Sequence, residues 1–312
     1  MARPLIMDVD TGIDDAMALA LAASLSDYDL VAVTTVAGNV PAERTAENTW
    51  RVLSWIGSDA PVYRGMSQPL ARTLHTAPNV HGNDGLGAWQ EPHARRDVEE
   101  VSAPEAIIQT ARRHQREIDG VFVGPLTNLA VALTLEPRLA GWFRTVTIMG
   151  GAFYSPGNVT PVGEFNKNSS DVTSSVAEFN MYVDPEAAAV VARAALPATW
   201  IGLDVTHQVS VTYYMWRCIE NVTAPEPALI REVCRQTFET RRMDKVHLHD
   251  PLAVAVAAYP NLVTVRHGQV RIDVGNVIRG ETRLIEGDGR TKVAESVDSG
   301  RFMDIFRSAL GV

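Results

Sequence analysis

Apolar positions along this chain follow two alternating patterns. Short apolar runs at Leu5–Met7, Leu30–Val36, Gly120–Val123, Val146–Met149 and Ala198–Leu203 have the length and composition of buried strands. Between them apolar residues return at helical spacing: after Ala16 (Leu19, Ala20, Ala23), from about Ala42 to Ile56, Ala103 to Arg116, Leu126 to Leu135, and Pro185 to Ala194. This alternation predicts an α/β fold, with a mainly parallel mixed central sheet and surrounding helices, a Rossmann-like open sheet. Further on, Thr223–Thr240 and Leu252–Tyr259 read as helices. From Leu262 strands flank the turn Glu286–Gly289, before a final helix from Arg301. No linker-like stretch divides the chain, so residues 1–312 are expected to form one domain.

Two stretches break the pattern. His75–Gly87 is a glycine-rich loop with the makings of a lid. Ser155–Asp171 is irregular and opens an internal echo, in which the triplets Glu164-Phe-Asn166 and Glu178-Phe-Asn180 stand 14 residues apart. A short duplicated loop accounts for it better than a repeat architecture.

Composition narrows the function classes. At 46% hydrophobic and 21% charged residues the chain can bury a large core and is not disordered. A net charge of −9 and a pI near 5.4 argue against a nucleic-acid binder. The basic pairs Arg95-Arg96, Arg112-Arg113 and Arg241-Arg242 make no stripe and read as solvated faces. No uninterrupted apolar stretch is long enough for a membrane span. The N-terminus enters its first strand at once, without a signal peptide, and Cys218 and Cys234 form no paired framework. A cytoplasmic setting is therefore expected, although one disulfide stays open.

The densest chemistry is Asp8, Asp10, Asp14 and Asp15, at the end of the first strand and the start of its helix. Helix capping accounts for Asp14 or Asp15, but poorly for Asp8 and Asp10. So much negative charge calls for a cation, and hard cations take oxygen ligands. Asp250 stands before Pro251 at another helix start, where a cap is the plain alternative.

Asp8-Val-Asp-Thr-Gly-Ile-Asp-Asp-Ala16 resembles the N-terminal signature of the nucleoside hydrolases, the inosine–uridine preferring N-ribohydrolase family. The resemblance continues in family order through Ala37-Gly38-Asn39, Gly82-Asn-Asp-Gly-Leu-Gly87, Gly124-Pro-Leu-Thr-Asn-Leu-Ala130 and Met149-Gly-Gly-Ala152. Glu178-Phe-Asn180, Val183-Asp-Pro-Glu-Ala-Ala188, Leu203-Asp-Val-Thr206 and His249-Asp-Pro251 complete it. It implies one Ca²⁺ held by Asp10, Asp15, the Thr127 carbonyl and Asp250, with a water and ribose hydroxyls filling the remaining positions. It implies hydrolysis of a ribonucleoside to ribose and free purine or pyrimidine base. The metal would activate a water, Asp10 would be the general base and His249 the leaving-group acid. Asp14, Asn39, Asn158, Glu178 and Asn180 would hold the ribose hydroxyls, and Met149 would lie under the sugar ring. His81 and His247 are further candidates, the first as part of the lid, the second competing with His249. The resemblance also implies a homodimer or homotetramer and a role in nucleoside salvage.

One departure matters. Family members run from Gly-Asn, six residues to Glu, then Phe-Asn directly into the Asp-Pro-Glu-Ala helix. Here Glu164 and Asn166 have the first spacing, while Glu178 and Asn180 connect to that helix. The second pair is favoured, and the insert between the two bears on the pocket. Two other classes stay open. A haloacid dehalogenase-type phosphatase also begins with a strand ending in Asp-x-Asp, but Gly12 and the absence of a clear lysine–acid pair disfavour it. A non-catalytic nucleoside- or ribose-binding protein would keep the same metal site and bind without turnover.

Overall fold

From Leu5 onward every residue of the first strand is buried, as its unbroken apolar run requires of a strand covered on both faces. The computed structural model describes residues 2–90, 98–160 and 176–312. Its first six strands are β1 (Arg3–Val9), β2 (Tyr28–Thr35), β3 (Val62–Arg64), β4 (Asp119–Phe122), β5 (Thr145–Met149) and β6 (Ala198–Ile201). They are followed by β7 (Ser210–Thr212), β8 (Lys245–His247), β9 (Val263–Ile272), β10 (Thr282–Glu286) and β11 (Thr291–Val297). Nine of them form one sheet in the order β10-β9-β11-β6-β5-β4-β1-β2-β3, while β7 and β8 pair separately. The strands from β3 to β11 across the sheet are parallel, and β9 is antiparallel to both its neighbours. This is the expected mainly parallel mixed sheet with helices around it.

The order places the site. From β1 the chain moves outward to β2 and β3 on one side, and from β4 to β5 and β6 on the other. The crevice beyond the carboxyl ends of β1 and β4 is thus a topological switch point, where open α/β sheets bind ligands. The one acidic residue of β1, Asp8, does not face that crevice. Its Oδ1 accepts from Thr34 Oγ1 at 2.5 Å and Asn128 Nδ2 at 2.7 Å, tying β1 to β2 and to the helix Thr127–Leu135.

Helices Ile13–Ser24 and His249–Ala258 are buried along nearly their whole length and pack on each other. Their alanines, among them Ala16, Ala20, Ala253 and Ala257, permit the close approach. Buried side chains such as Leu19 and Leu252 each contribute roughly 1.5–3 kcal/mol. Both helices start at the crevice, so two positive dipole ends converge on the carboxylates there.

Several elements lack a sequence signature because they are shorter than two full turns or two full alternations of the pattern that would reveal them. These are β3, β7, β8 and the helical turns Phe179–Val183, Leu203–Thr206 and Tyr213–Cys218. The glycine-rich His75–Gly87 stretch contains a helical turn, Pro78–His81. Cys218 and Cys234 are free thiols. Arg95-Arg96, Glu164, Asn166 and Asp171 lie outside the described residues.

Candidate active site

Asp10 follows β1, Gly12 caps the next helix, and that helix carries Asp14 and Asp15 in its first turn. Asp15 does reach back as a cap: its oxygens accept from the Asp10 N–H at 3.1 Å and the Gly12 N–H at 2.8 Å. Asn39, in the loop after β2, donates its backbone N–H to Asp10 Oδ2 at 2.7 Å and its amide to Asp15 Oδ2 at 3.2 Å. The loops close so tightly that a Cβ on Gly12 would lie 2.3 Å from His81 Nδ1, and one on Gly38 2.1 Å from Asp10 Oδ2. No side chain fits at either position.

Oxygens of Asp14, Asp15 and Asp250 come within 4.8 Å of one another, and the Asp10 carboxyl is in hydrogen-bond contact with Asp15. Asp250 sits inside the first turn of its helix, where Leu248 is the N-cap, so its carboxylate is not spent as that cap. Burial pushes all four carboxyls up, and repulsion from neighbouring carboxylates adds to it at Asp10, Asp14 and Asp250; Asp14 reaches about 8. Without a counter-charge their ionised forms are disfavoured. The donor set is all oxygen, desolvated and crowded with negative charge, which fits a hard divalent cation.

The ends of β4 and β5 form the adjoining wall. Asn180 Nδ2 donates to the Val123 carbonyl at 2.6 Å and touches the Met149 sulfur at 3.7 Å. Glu178 accepts backbone N–H groups of Asn180, Met181 and Gly151, and burial lifts its carboxyl to about 7. Asn158 Oδ1 is buried without a hydrogen-bond partner among the described residues. Thr127 requires a correction. As first residue of the helix Thr127–Leu135 its carbonyl points into the helical ladder. Its hydroxyl is spent on Asp184 at 2.6 Å, and it does not line the cavity. The backbone carbonyl at the cavity wall is that of Val123, which directly follows β4.

Histidines border the carboxylates, His81 Nδ1 lying 3.9 Å from Asp14 Oδ1. His81 Nδ1 accepts the Ile13 N–H at 3.0 Å, so its proton resides on Nε2. Burial and the nearby Arg241 charge lower His81 to about 3. His249 opens its helix beside Asp250, with Nδ1 2.7 Å from Thr206 Oγ1. Its ring lies 5.4 Å from that of His247 and 5.6 Å from that of His207. Burial, reinforced by those rings, holds His249 well below its ordinary value and His247 at about 4.

One cavity of ≈ 700 Å³ unites these groups. Asp10, Asp14, Asn39, Met149, Asn158, Glu178, Asn180, His249 and Asp250 all line it, with His81 and His247; Asp15 lies just beneath, behind Asn39. Glu164 and Asn166, the rival ribose pair, are outside the described residues. Sequence reasoning missed Val123, Thr237 and Arg241 on the wall, and Thr206 and His207 behind His249. Of these only Thr206 lay within a recognisable motif. Among the described residues no helix is long and apolar enough to cross a membrane.

A switch-point cavity with an acidic end and a histidine end defines an α/β enzyme with a candidate metal centre. The chain matches the family described as inosine-uridine preferring nucleoside hydrolase over residues 5–304, and it belongs to that family. It is 34% identical to the pyrimidine-specific ribonucleoside hydrolase RihA of Shewanella woodyi, covering 99% of this chain and 98% of that one. To the inosine-uridine preferring nucleoside hydrolase of Leishmania major it is 32% identical, with the same coverage. A solved plant nucleoside hydrolase superposes with a TM-score of 0.88 at 30% identity, over 99% of both chains.

Proposed function

We propose that this protein hydrolyses the N-glycosidic bond of ribonucleosides to ribose and free base, with a Ca²⁺ held by Asp10, Asp15, Asp250 and the Val123 carbonyl. The observation that carries this reading is the convergence of buried, charge-starved carboxylates at the switch point of a family member. A divalent cation there would keep the carboxylates ionised and polarise water and sugar hydroxyls.

The remaining chemistry belongs to the chain. Asp14, the least buried of the four aspartates, reaches a sugar hydroxyl together with Asn39, Asn180 and the unpartnered Asn158 Oδ1. Glu178 borders the ribose, and Met149 supplies an apolar surface beneath it. Asp10 accepts a proton from water as the oxygen bonds to C1′. The C1′–N bond breaks, and its electron pair goes to the base. Carboxylates around the sugar stabilise the positive charge that develops on it. His249 delivers a proton to the departing base. In the tautomer in which Nδ1 accepts from the Thr206 hydroxyl 2.7 Å away, the proton sits on Nε2 and is free for that bond. The resemblance also carries a homodimer or homotetramer and a cytoplasmic salvage role into this proposal.

The test is reducing-sugar release from purine and pyrimidine ribonucleosides after chelation, with and without added Ca²⁺. Release restored by Ca²⁺ is expected. Bound metal and bound nucleoside with no sugar release would reject hydrolysis.

A further inference from the structure

Arg241 is the one arginine on the wall of this cavity, and among the described residues no carboxylate pairs with it. It follows the π-helical turn Gln236–Thr240 and is half-buried. Nη2 donates to Gln236 Oε1 at 3.0 Å, and Nη1 donates to the Val80 carbonyl. These neutral acceptors fix the plane of the guanidinium without neutralising it. A half-buried charge held in this way is costly unless a ligand supplies acceptors for its other donors.

Ile13, Val80, Met243 and Val246 line the cavity with it and form apolar walls suited to a flat ring. The carboxylates occupy the other end. With the ribose seated on them, as the proposed function has it, the nucleobase extends to the histidine and Arg241 end. A rigid guanidinium fork matches two adjacent acceptors in a plane. A 6-oxopurine offers that pair as O6 and N7. Adenine and cytosine would turn an amino donor toward a donor.

We propose that Arg241 reads the nucleobase, selecting 6-oxopurine ribonucleosides over adenosine and cytidine. The guanidinium is a specificity element of the proposed hydrolase site, and the inference rests on that reading.

The experiment compares kcat/KM for inosine, adenosine and inosine 5′-monophosphate in the wild type, Arg241→Met and Arg241→Lys. The inosine-to-adenosine ratio should fall by about 10- to 100-fold in Arg241→Met. Arg241→Lys, which keeps the charge and loses the fork, should lose most of it as well. A ratio cancels a general loss of folded enzyme, and the lysine variant stands in if the methionine variant does not fold. An unchanged ratio in both variants overturns the proposal. So does a loss confined to the monophosphate, which would assign the guanidinium to a phosphate. Should the wild type cleave neither nucleosides nor a nitrophenyl riboside, the hydrolase reading fails separately. Base selection is then measured as the ratio of inosine to adenosine dissociation constants by calorimetry. A preference for inosine that collapses in both variants upholds the role of Arg241, and one that both variants leave unchanged overturns it.

Discussion

On the acidic side of the cavity Asp10, Asp14, Asp15, Asp250 and Glu178 have their carboxyls pushed up by burial; in the histidine cluster that adjoins them, His81, His247 and His249 have their rings pushed down. Both shifts have the same leading cause, the loss of water, and both move the groups toward neutrality. The consequences differ. The carboxylates lie close enough to repel, so they gain from a cation. The histidines are held toward neutrality, with protons to donate and ring nitrogens to accept, and Arg241 and Lys245 are the cations beside them. Under the proposed function the acidic end would stabilise positive charge on a sugar, and the histidine end would receive an electron-rich base.

The largest effect should come from removing one charge at the acidic end without changing its shape. Asp10→Asn keeps the size of the side chain and loses the base, so kcat should fall by about 10²- to 10⁴-fold. In chelated protein the same change relieves repulsion from Asp15, so the melting temperature should rise. Steady-state rates and thermal melts read the two responses. Full activity would remove Asp10 from the chemistry, whereas a lower melting temperature would contradict the crowding of charge around it.

His249→Ala tests the other end. Turnover of nucleosides should drop about 100-fold, near the lower limit for loss of a general acid. A nitrophenyl riboside, whose leaving group needs no proton, should lose far less. Equal losses on the two substrates would deny His249 that role and move attention to His247, whose Nδ1 is buried without a hydrogen-bond partner among the described residues.

The two ends should also separate in their pH response. Burial raises Asp14 from 3.8 to about 8 and Glu178 from 4.5 to about 7. Unfolded, these carboxyls lose their protons near pH 4, while folded they hold them. Their contribution to stability is therefore complete at low pH and disappears as pH rises through 7 to 8. The histidines act oppositely: their folded values lie below 6.5, so their contribution is present above 6.5 and lost as pH falls. Between about pH 6.5 and 8 the buried carboxyls lose their protons, Asp8 in the sheet (raised by burial to about 7) together with those of the acidic end. Chelated protein should melt about 5 °C lower at pH 8 than at pH 6.5. Ca²⁺ should erase the share of the acidic end, because it takes the place of the protons there. A chelated protein indifferent to pH across this window would mean that the carboxylates do not crowd as described.

The same contrast explains what the sequence disclosed. Most of the acidic end comes from one strand–turn–helix, so Asp10, Asp14 and Asp15 were readable as a motif. The parallel sheet was readable as well, because its strands are apolar on both faces. Apart from His249, which opens the helix His249–Ala258 and stood in a motif, the histidine end is assembled from Pro78–His81, Leu203–Thr206, the turn Gln236–Thr240 and β8, none longer than 5 residues. Such elements carry too little periodicity to announce themselves, and Arg241 stood in the chain as half of an ordinary surface pair. Thr127 was misplaced for a related reason: a motif identifies a segment, but only backbone geometry says which carbonyl escapes the helical ladder. At Val123 the strand ends before any helix claims it.

The smallest predicted effect probes how the histidine end is held. Thr206 is fully buried, and its hydroxyl is the single hydrogen-bond partner that fixes the His249 ring among the described residues. Thr206→Val keeps the volume and removes that bond, worth about 0.5–1.5 kcal/mol. If the hydroxyl sets the tautomer, kcat on nucleosides should fall by roughly 3- to 10-fold, with KM nearly unchanged, and Thr206→Ser should restore it. Nitrophenyl riboside turnover should not follow, since it does not depend on the proton that Thr206 orients. A parallel loss on both substrates, or no rescue by serine, would reduce Thr206 to packing. His249 would then owe its orientation to the rings of His207 and His247 instead.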